Sequence, residues 1–131
     1  MTSMDSANIF DTTRVICRLA ELPDPGARAF TMGAGDWPLR GFVVRKGERA
    51  YAYLNRCPHA GHPLNWTGNE FLTPDQTLLM CRSHGACFEI ATGVCVLGPC
   101  VGRELRTIDV GVERGYVLLN DDPDRLAALL C

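Results

Sequence analysis

The chain has 131 residues, of which 47% are hydrophobic and 21% charged, and its 13 basic and 15 acidic side chains leave a formal charge of −2. That length holds one domain with a real core, and the even charge balance excludes a phosphate-backbone grip on nucleic acid as the main role. No apolar run approaches a membrane span, and the first thirty residues lack a basic start followed by an apolar stretch, so a soluble, cytoplasmic protein without a membrane partner is expected.

Residues 1–13 are polar and aperiodic and are expected to be a flexible leader, with residues 14–131 forming the single domain. Val15-Ile16-Cys17-Arg18-Leu19 reads as a first strand, ended by the turn cluster Pro23-Asp24-Pro25-Gly26. Ala29-Phe30-Thr31-Met32 reads as a second, ended by Gly33-Ala34-Gly35-Asp36. Gly41 to Arg45 and Ala50 to Leu54 are rich in β-branched and aromatic residues, and Lys46-Gly47-Glu48 between them predicts a tight hairpin that runs straight into Cys57. Phe71-Leu72 and Thr77 to Met80 flank Thr73-Pro74-Asp75-Gln76, a second hairpin ending at Cys81. Cys87 to Ile90 and Val94 to Leu97 follow, separated by Ala91-Thr92-Gly93 and closed by Gly98-Pro99. A last hairpin is expected to pair Arg106 to Val110 with Tyr116 to Leu119 across Glu113-Arg114-Gly115. Many short strands at regular spacing predict an all-β fold, an antiparallel sandwich or barrel. The exception is the C-terminus, where Asp122 can cap a short helix, Pro123 suits its first position, and Leu126, Leu129 and Leu130 share an apolar face.

Seven cysteines (Cys17, Cys57, Cys81, Cys87, Cys95, Cys100 and Cys131) are many for this length, and in a reducing compartment they are more often metal ligands or buried thiols than disulfides. Of the three histidines, His59 and His84 each follow a cysteine closely. The pattern is Cys57-x-His59, twenty-one residues, then Cys81-x-x-His84. Each pair is short enough to converge on one centre, and each lies on a loop at the end of a hairpin, where two loops can meet. Spacing alone leaves two centres open: a tetrahedral zinc with two thiolates and two imidazoles, or a two-iron cluster with thiolates on one iron and imidazoles on the other. The zinc alternative would make the chain a zinc-stabilised binding module.

The surroundings of the pairs are Cys57-Pro58-His59-Ala60-Gly61-x-x-Leu64 and Cys81-x-x-His84-Gly85-Ala86-x-Phe88, followed by Thr92-Gly93, Gly98-Pro99 and Leu105. In these residues the sequence resembles the Rieske iron–sulfur proteins, specifically the small single-domain ferredoxin-like type, over about Gly41 to Leu119. The resemblance implies a Rieske-type antiparallel β sandwich whose cluster-binding part spans about residues 55–100, one [2Fe-2S] cluster per chain, Cys57 and Cys81 on the inner iron, His59 and His84 on the outer iron, and Gly98-Pro99 as a third loop over the cluster. The gap from His59 to Cys81 is longer than usual in the family, which the Thr73 to Gln76 hairpin accounts for.

In high-potential members of that family each cluster loop carries an extra cysteine, joined as a disulfide, and hydroxyls donate to the cluster and ligand sulfurs. The matching loop positions here are His62 and Ser83, and the hydroxyl positions are Ala86 and Phe88. Fewer donors stabilise the reduced cluster less, so a potential of roughly −150 mV rather than +300 mV is expected. Cys95 and Cys100 bracket Gly98-Pro99 and read as ordinary buried thiols, like Cys17 and Cys87, although a disulfide or an influence on the cluster is an alternative. Arg56 and Arg82 neighbour the ligand cysteines and read either as steering charges for an acidic partner or as solvated loop charges.

The function these readings imply is one-electron transfer: a ferredoxin component passing electrons from a reductase to a terminal oxygenase or other oxidoreductase, with no catalytic residues of its own. A second reading is a small subunit held permanently in a larger oxidoreductase, similar to the nitrite reductase small subunits.

Overall fold

A computed structural model of the chain describes residues 14–33, 36, 38–58, 61–65 and 68–130, with backbone only at Leu129 and Leu130. The expected leader therefore lies outside the described residues, as do His59, Trp37, Trp66 and Cys131.

Among the described residues, ten short strands and one helix follow in chain order: β1 (Val15–Arg18), a 3₁₀ turn (Leu19–Glu21), β2 (Gly26–Met32), β3 (Leu39–Lys46), β4 (Arg49–Leu54), β5 (Leu78–Met80), β6 (Cys87–Glu89), β7 (Cys95–Leu97), β8 (Thr107–Ile108), β9 (Val110–Glu113), β10 (Tyr116–Leu119) and α1 (Pro123–Leu130). They form three sheets, with orders β1-β10-β9, β2-β3-β4-β8 and β5-β6-β7. Every strand pair is antiparallel, as the all-β reading expects.

The four-stranded sheet is the middle layer, which explains why β3 buries Phe42, Val43 and Val44 in succession rather than alternating with polar residues. Successive side chains of a strand point to opposite faces. Phe42, Val44 and Tyr53 face one core, shared with Leu64, Phe71, Leu79 and Phe88. Leu39, Val43, Ala52 and Leu54 face another, shared with Cys17, Ile108, Val117, Leu119 and Ala127. The first core carries the β5-β6-β7 sheet; the second carries β1, β10 and the helix. Aromatic packing joins the first core, with the Phe42 and Phe71 rings stacked at 4.4 Å. The Tyr53 hydroxyl donates to the Ile90 carbonyl at 2.6 Å.

The expected last hairpin needs correction. Arg106 to Val110 is not one strand: Ile108 belongs to β8, which pairs with β4 through Ala52↔Ile108, and exposed Asp109 separates it from β9. The partner of β10 is β9, with Tyr116↔Glu113 and Leu119↔Val110. The turn chemistry sets this register. Arg114 and Gly115 have φ of 54° and 82°, the two-residue turn with positive φ at both positions that suits tightly twisted hairpins. With only two residues in the turn, Glu113 must face Tyr116, and residues 106–108 are free to close the middle sheet.

Helix α1 begins as expected: the Asp124 amide donates to Asp122 Oδ1 at 2.9 Å, and Pro123 takes the first position. Its packing face is Leu126 and Ala127; the side chains of Leu129 and Leu130 lie outside the described residues. Among the described residues, no helix is long and apolar enough to cross a membrane.

Candidate metal centre

The two cysteine loops share one backbone design. After β4, the Cys57 amide donates to the His62 carbonyl at 2.7 Å, and the Gly61 amide donates to the Cys57 carbonyl at 2.7 Å. After β5, the Cys81 amide donates to the Ala86 carbonyl at 2.8 Å, and the Gly85 amide donates to the Cys81 carbonyl at 3.0 Å. Each cysteine thus heads a loop in which its own amide reaches the carbonyl five residues on and its carbonyl receives the amide four residues on. Gly61 and Gly85 supply the closing turns with φ of 75° and 73°, a region that side chains disfavour and glycine does not. The Arg82 amide donates to the Leu64 carbonyl at 2.8 Å and ties one loop to the other.

This design buries both sulfurs. Cys57 is 1% exposed and Cys81 0%, both in the same apolar core as Ala86, Cys95 and Cys100. His84 stands on the exposed turn of the second loop, and His62 is exposed on the first. The site is therefore polarised, with thiols inward and imidazole outward.

A third loop closes over the other two. β7 leads into Gly98 and Pro99, and the chain returns through Cys95 N–H to Arg103 O at 2.8 Å and Arg103 N–H to Cys100 O at 2.9 Å. Gly98 has a φ of 97°, and a Cβ there would lie 2.8 Å from the Ala86 Cα, so this loop rests directly on the backbone of the second. Toward the first loop, Arg103 Nη1 donates to the Pro58 carbonyl at 3.1 Å, and Cys100 shares the apolar core that holds Cys57. Cys100 also donates to Cys95 Sγ at 3.3 Å. Burial, the Cys95 sulfur and the Cys57 sulfur push the Cys100 thiol up to about 12.

Sequence reasoning overlooked several supports of this site. Asn55 Oδ1 accepts from the Leu64 amide at 2.8 Å, and its Nδ2 donates to Asn65 Oδ1 at 2.8 Å, which fixes the exit of the first loop. An Asn placed just before the first cysteine was the available signal, since Asn side chains favour loop closure. Arg103, beyond the Gly-Pro element, carried no such signal. Arg82 also differs from a solvated charge: it is half-buried, its Nε finds no hydrogen-bond partner among the described residues, and it lines a cleft with Leu22, Arg28, Phe71 and Pro74. None of Cys57, Cys81 or His84 lines that cleft. Arg56 is exposed, with its guanidinium over Gly61.

The Thr73 to Gln76 hairpin forms as expected between the two cysteine loops, although its strand pairing on the Phe71 side is a single bridge, Leu72↔Leu79. Asp75 Oδ1 accepts from both threonine hydroxyls, Thr73 at 2.6 Å and Thr77 at 2.8 Å. These bonds, Thr73 first, hold the Asp75 carboxyl below its ordinary range.

Comparison with known proteins agrees with this geometry. The family described as Rieske [2Fe-2S] domain matches residues 12–123. A search of curated proteins finds no match. Among solved structures, the chain is similar to the ferredoxin of carbazole 1,9a-dioxygenase from Nocardioides aromaticivorans IC177, with 28% identity over 82% of this chain and 96% of that one and a TM-score of 0.64. It is similar to the ferredoxin of Sphingomonas yanoikuyae B1 at 24% identity over 82% and 97%, TM-score 0.60. A complex of reduced oxygenase and oxidized ferredoxin in carbazole 1,9a-dioxygenase contains a further match, at 25% identity over 80% and 89%, TM-score 0.62. Buried thiols on twin loops with an imidazole on the outer rim are the donor types that such a cluster takes. With 112 consecutive residues under the family's pattern and the fold of its ferredoxins, the chain belongs to the Rieske [2Fe-2S] domain family and carries that family's [2Fe-2S] cluster.

Proposed function

We propose that the chain is a ferredoxin component, taking single electrons from a reductase and passing them to a terminal oxygenase or another oxidoreductase in the cytoplasm. The observation that carries this is the polarised pair of loops, which buries Cys57 and Cys81 and leaves His84 at the surface. In this reading Cys57 and Cys81 hold the inner iron, and His59 and His84 the outer one. When bound, the cluster supplies a one-electron couple at its imidazole side. The protein's own part is to hold that couple still, exclude water from the thiolates and present the histidine rim. The three loops do this with backbone hydrogen bonds and close packing, which keeps structural change on electron uptake small.

The exposed Leu97 and Val101, at 57% and 63%, flank the third loop and offer a redox partner an apolar contact. The similarity to ferredoxins of dioxygenase systems, one of them in a structure with its oxygenase, supports an oxygenase as acceptor. The same two side chains also suit a permanent small subunit of a larger oxidoreductase, which obligate copurification with a large chain would reveal.

Anaerobic mixing tests the carrier reading. The reduced chain, mixed with an oxidised Rieske-type terminal oxygenase of a ring-hydroxylating system, is expected to give up one electron per chain within the time of oxygenase turnover, and to be reduced again by that system's reductase. A cluster that exchanges electrons with neither protein, while dithionite reduces it fully, would overturn the carrier reading.

A further inference from the structure

Cys95 and Cys100 are not needed as cluster ligands in the reading above, yet they are placed as a pair. Their sulfurs lie 3.3 Å apart, and a disulfide requires about 2.05 Å, so the sulfurs need to approach by roughly 1.3 Å. The backbone already holds the two residues together. Cys95 N–H and C=O bond to Arg103 and Gly102, and the Arg103 amide bonds back to Cys100. The Cys95 thiol points into the loop, donating to the Leu97 carbonyl at 3.1 Å. Cys95 and Cys100 are themselves buried, at 1% and 3% exposure, but everything between and just beyond them is exposed: Val96, Leu97, Gly98, Pro99 and Val101. One short, solvent-facing loop covers both thiols. The Cys100 S–H donates to the Cys95 sulfur, the one with which it can bond covalently, and both thiols lie in the core that holds Cys57.

We propose that Cys95 and Cys100 are a reversible dithiol–disulfide site in the third loop, which covers the two cysteine loops. The oxidant is a small-molecule disulfide such as oxidised glutathione. One cysteine sulfur attacks the glutathione disulfide, forming a mixed disulfide and releasing one glutathione. The second cysteine sulfur then displaces the other glutathione, forming the Cys95–Cys100 bond. Two electrons and two protons leave the pair, and two molecules of reduced glutathione carry them away. Formation of the disulfide does not depend on the assignment of Cys57 as a ligand.

The test uses the iron-loaded full chain. Samples are equilibrated anaerobically in glutathione buffers from fully reduced to fully oxidised, alkylated with iodoacetamide under denaturing conditions, and digested. The expected result is that the peptide bearing Cys95 and Cys100 passes from two alkyl groups to none and becomes two hydrogens lighter than the free dithiol, that dithiothreitol reverses this, and that iron content stays constant. Full alkylation of both residues at every poise, or a bridge only in chains that have lost iron, would overturn the proposal. Cys95→Ser and Cys100→Ser should each show no two-hydrogen loss at any poise, and a two-hydrogen loss that persists in either variant would also overturn the proposal. Failure of the cluster assignment would appear separately, as missing iron, which the peptide masses do not use.

Discussion

Replacing Gly98 with Ala tests whether the third loop is seated on the second. The added Cβ would lie 2.8 Å from the Ala86 Cα, 3.2 Å from its amide nitrogen and 3.3 Å from the Gly85 carbonyl oxygen, all backbone atoms that cannot rotate away. Ordinary carbon contacts begin near 3.5 Å, so the loop must retreat by about 0.7 Å. Overpacking of this kind costs about 1–3 kcal/mol, and a non-glycine residue at φ of 97° adds roughly 1–2 kcal/mol. Gly102 is the internal control, because its φ is 91° and nothing lies within 4 Å of its added Cβ. Gly102→Ala therefore carries the backbone cost alone. If loss of the cluster proceeds through opening of this loop, an opening equilibrium shifted by about 2–5 kcal/mol accelerates bleaching roughly 30- to 4,000-fold for Gly98→Ala, against about 5- to 30-fold for Gly102→Ala. The assay is the decay of visible absorbance in moderate denaturant, followed with an iron chelator present. Equal rates for the two variants would refute the claim that contact between Gly98 and Ala86 seats the loop.

Further predictions concern the potential, the core and the helix cap. The reduction potential should fall near roughly −150 mV, and Ala86→Ser should raise it by adding a hydroxyl beside the cluster loops; redox titration checks both, and a wild-type value well above zero would contradict the reasoning. Tyr53→Phe leaves the Ile90 carbonyl without the hydroxyl that now donates to it and should destabilise the fold by about 1–3 kcal/mol, read as a lower Tm. Burial raises the Tyr53 phenol well above the ordinary tyrosine range, so one of the chain's three tyrosines should resist ionisation in an ultraviolet titration. The unfolded chain releases that proton at about pH 10, so the stability from keeping Tyr53 neutral is complete below that pH and declines as pH rises beyond it. Asp122→Ala removes the acceptor of the Asp124 amide and should cost about 0.5–2 kcal/mol in thermal unfolding.

Much of this molecule was legible in residue pattern because its elements are local. The Gly41 to Leu54 hairpin, the Asp122-Pro123 helix start and the Arg114-Gly115 turn each depend on neighbours in the chain, where dihedral preferences act directly. The pairing of Ile108 with Ala52 depends on which sheet needs a fourth strand, a tertiary demand that alternating apolar residues do not encode. β3 misleads for the same reason: an unbroken Phe42-Val43-Val44 run signals a strand covered on both faces without saying what covers it. At the site, Cys57 and Cys81 stood out through their repeated spacing with histidine and glycine. The shared core of Cys100 and Cys57 did not, because they stand 43 positions apart in sequence and only the return of the third loop brings them together.

The central claim is that Cys57, His59, Cys81 and His84 hold one [2Fe-2S] cluster. Pulsed electron paramagnetic resonance on dithionite-reduced protein labelled with ¹⁵N-histidine tests it most directly, with iron and acid-labile sulfide assayed on the same sample. The account predicts two irons and two sulfides per chain and strong couplings from two histidine nitrogens, both retained in His62→Ala, with one lost or replaced when either His59 or His84 is changed to Cys. Stoichiometric zinc without a paramagnetic signal, or couplings that disappear in His62→Ala and persist in His84→Cys, would contradict it.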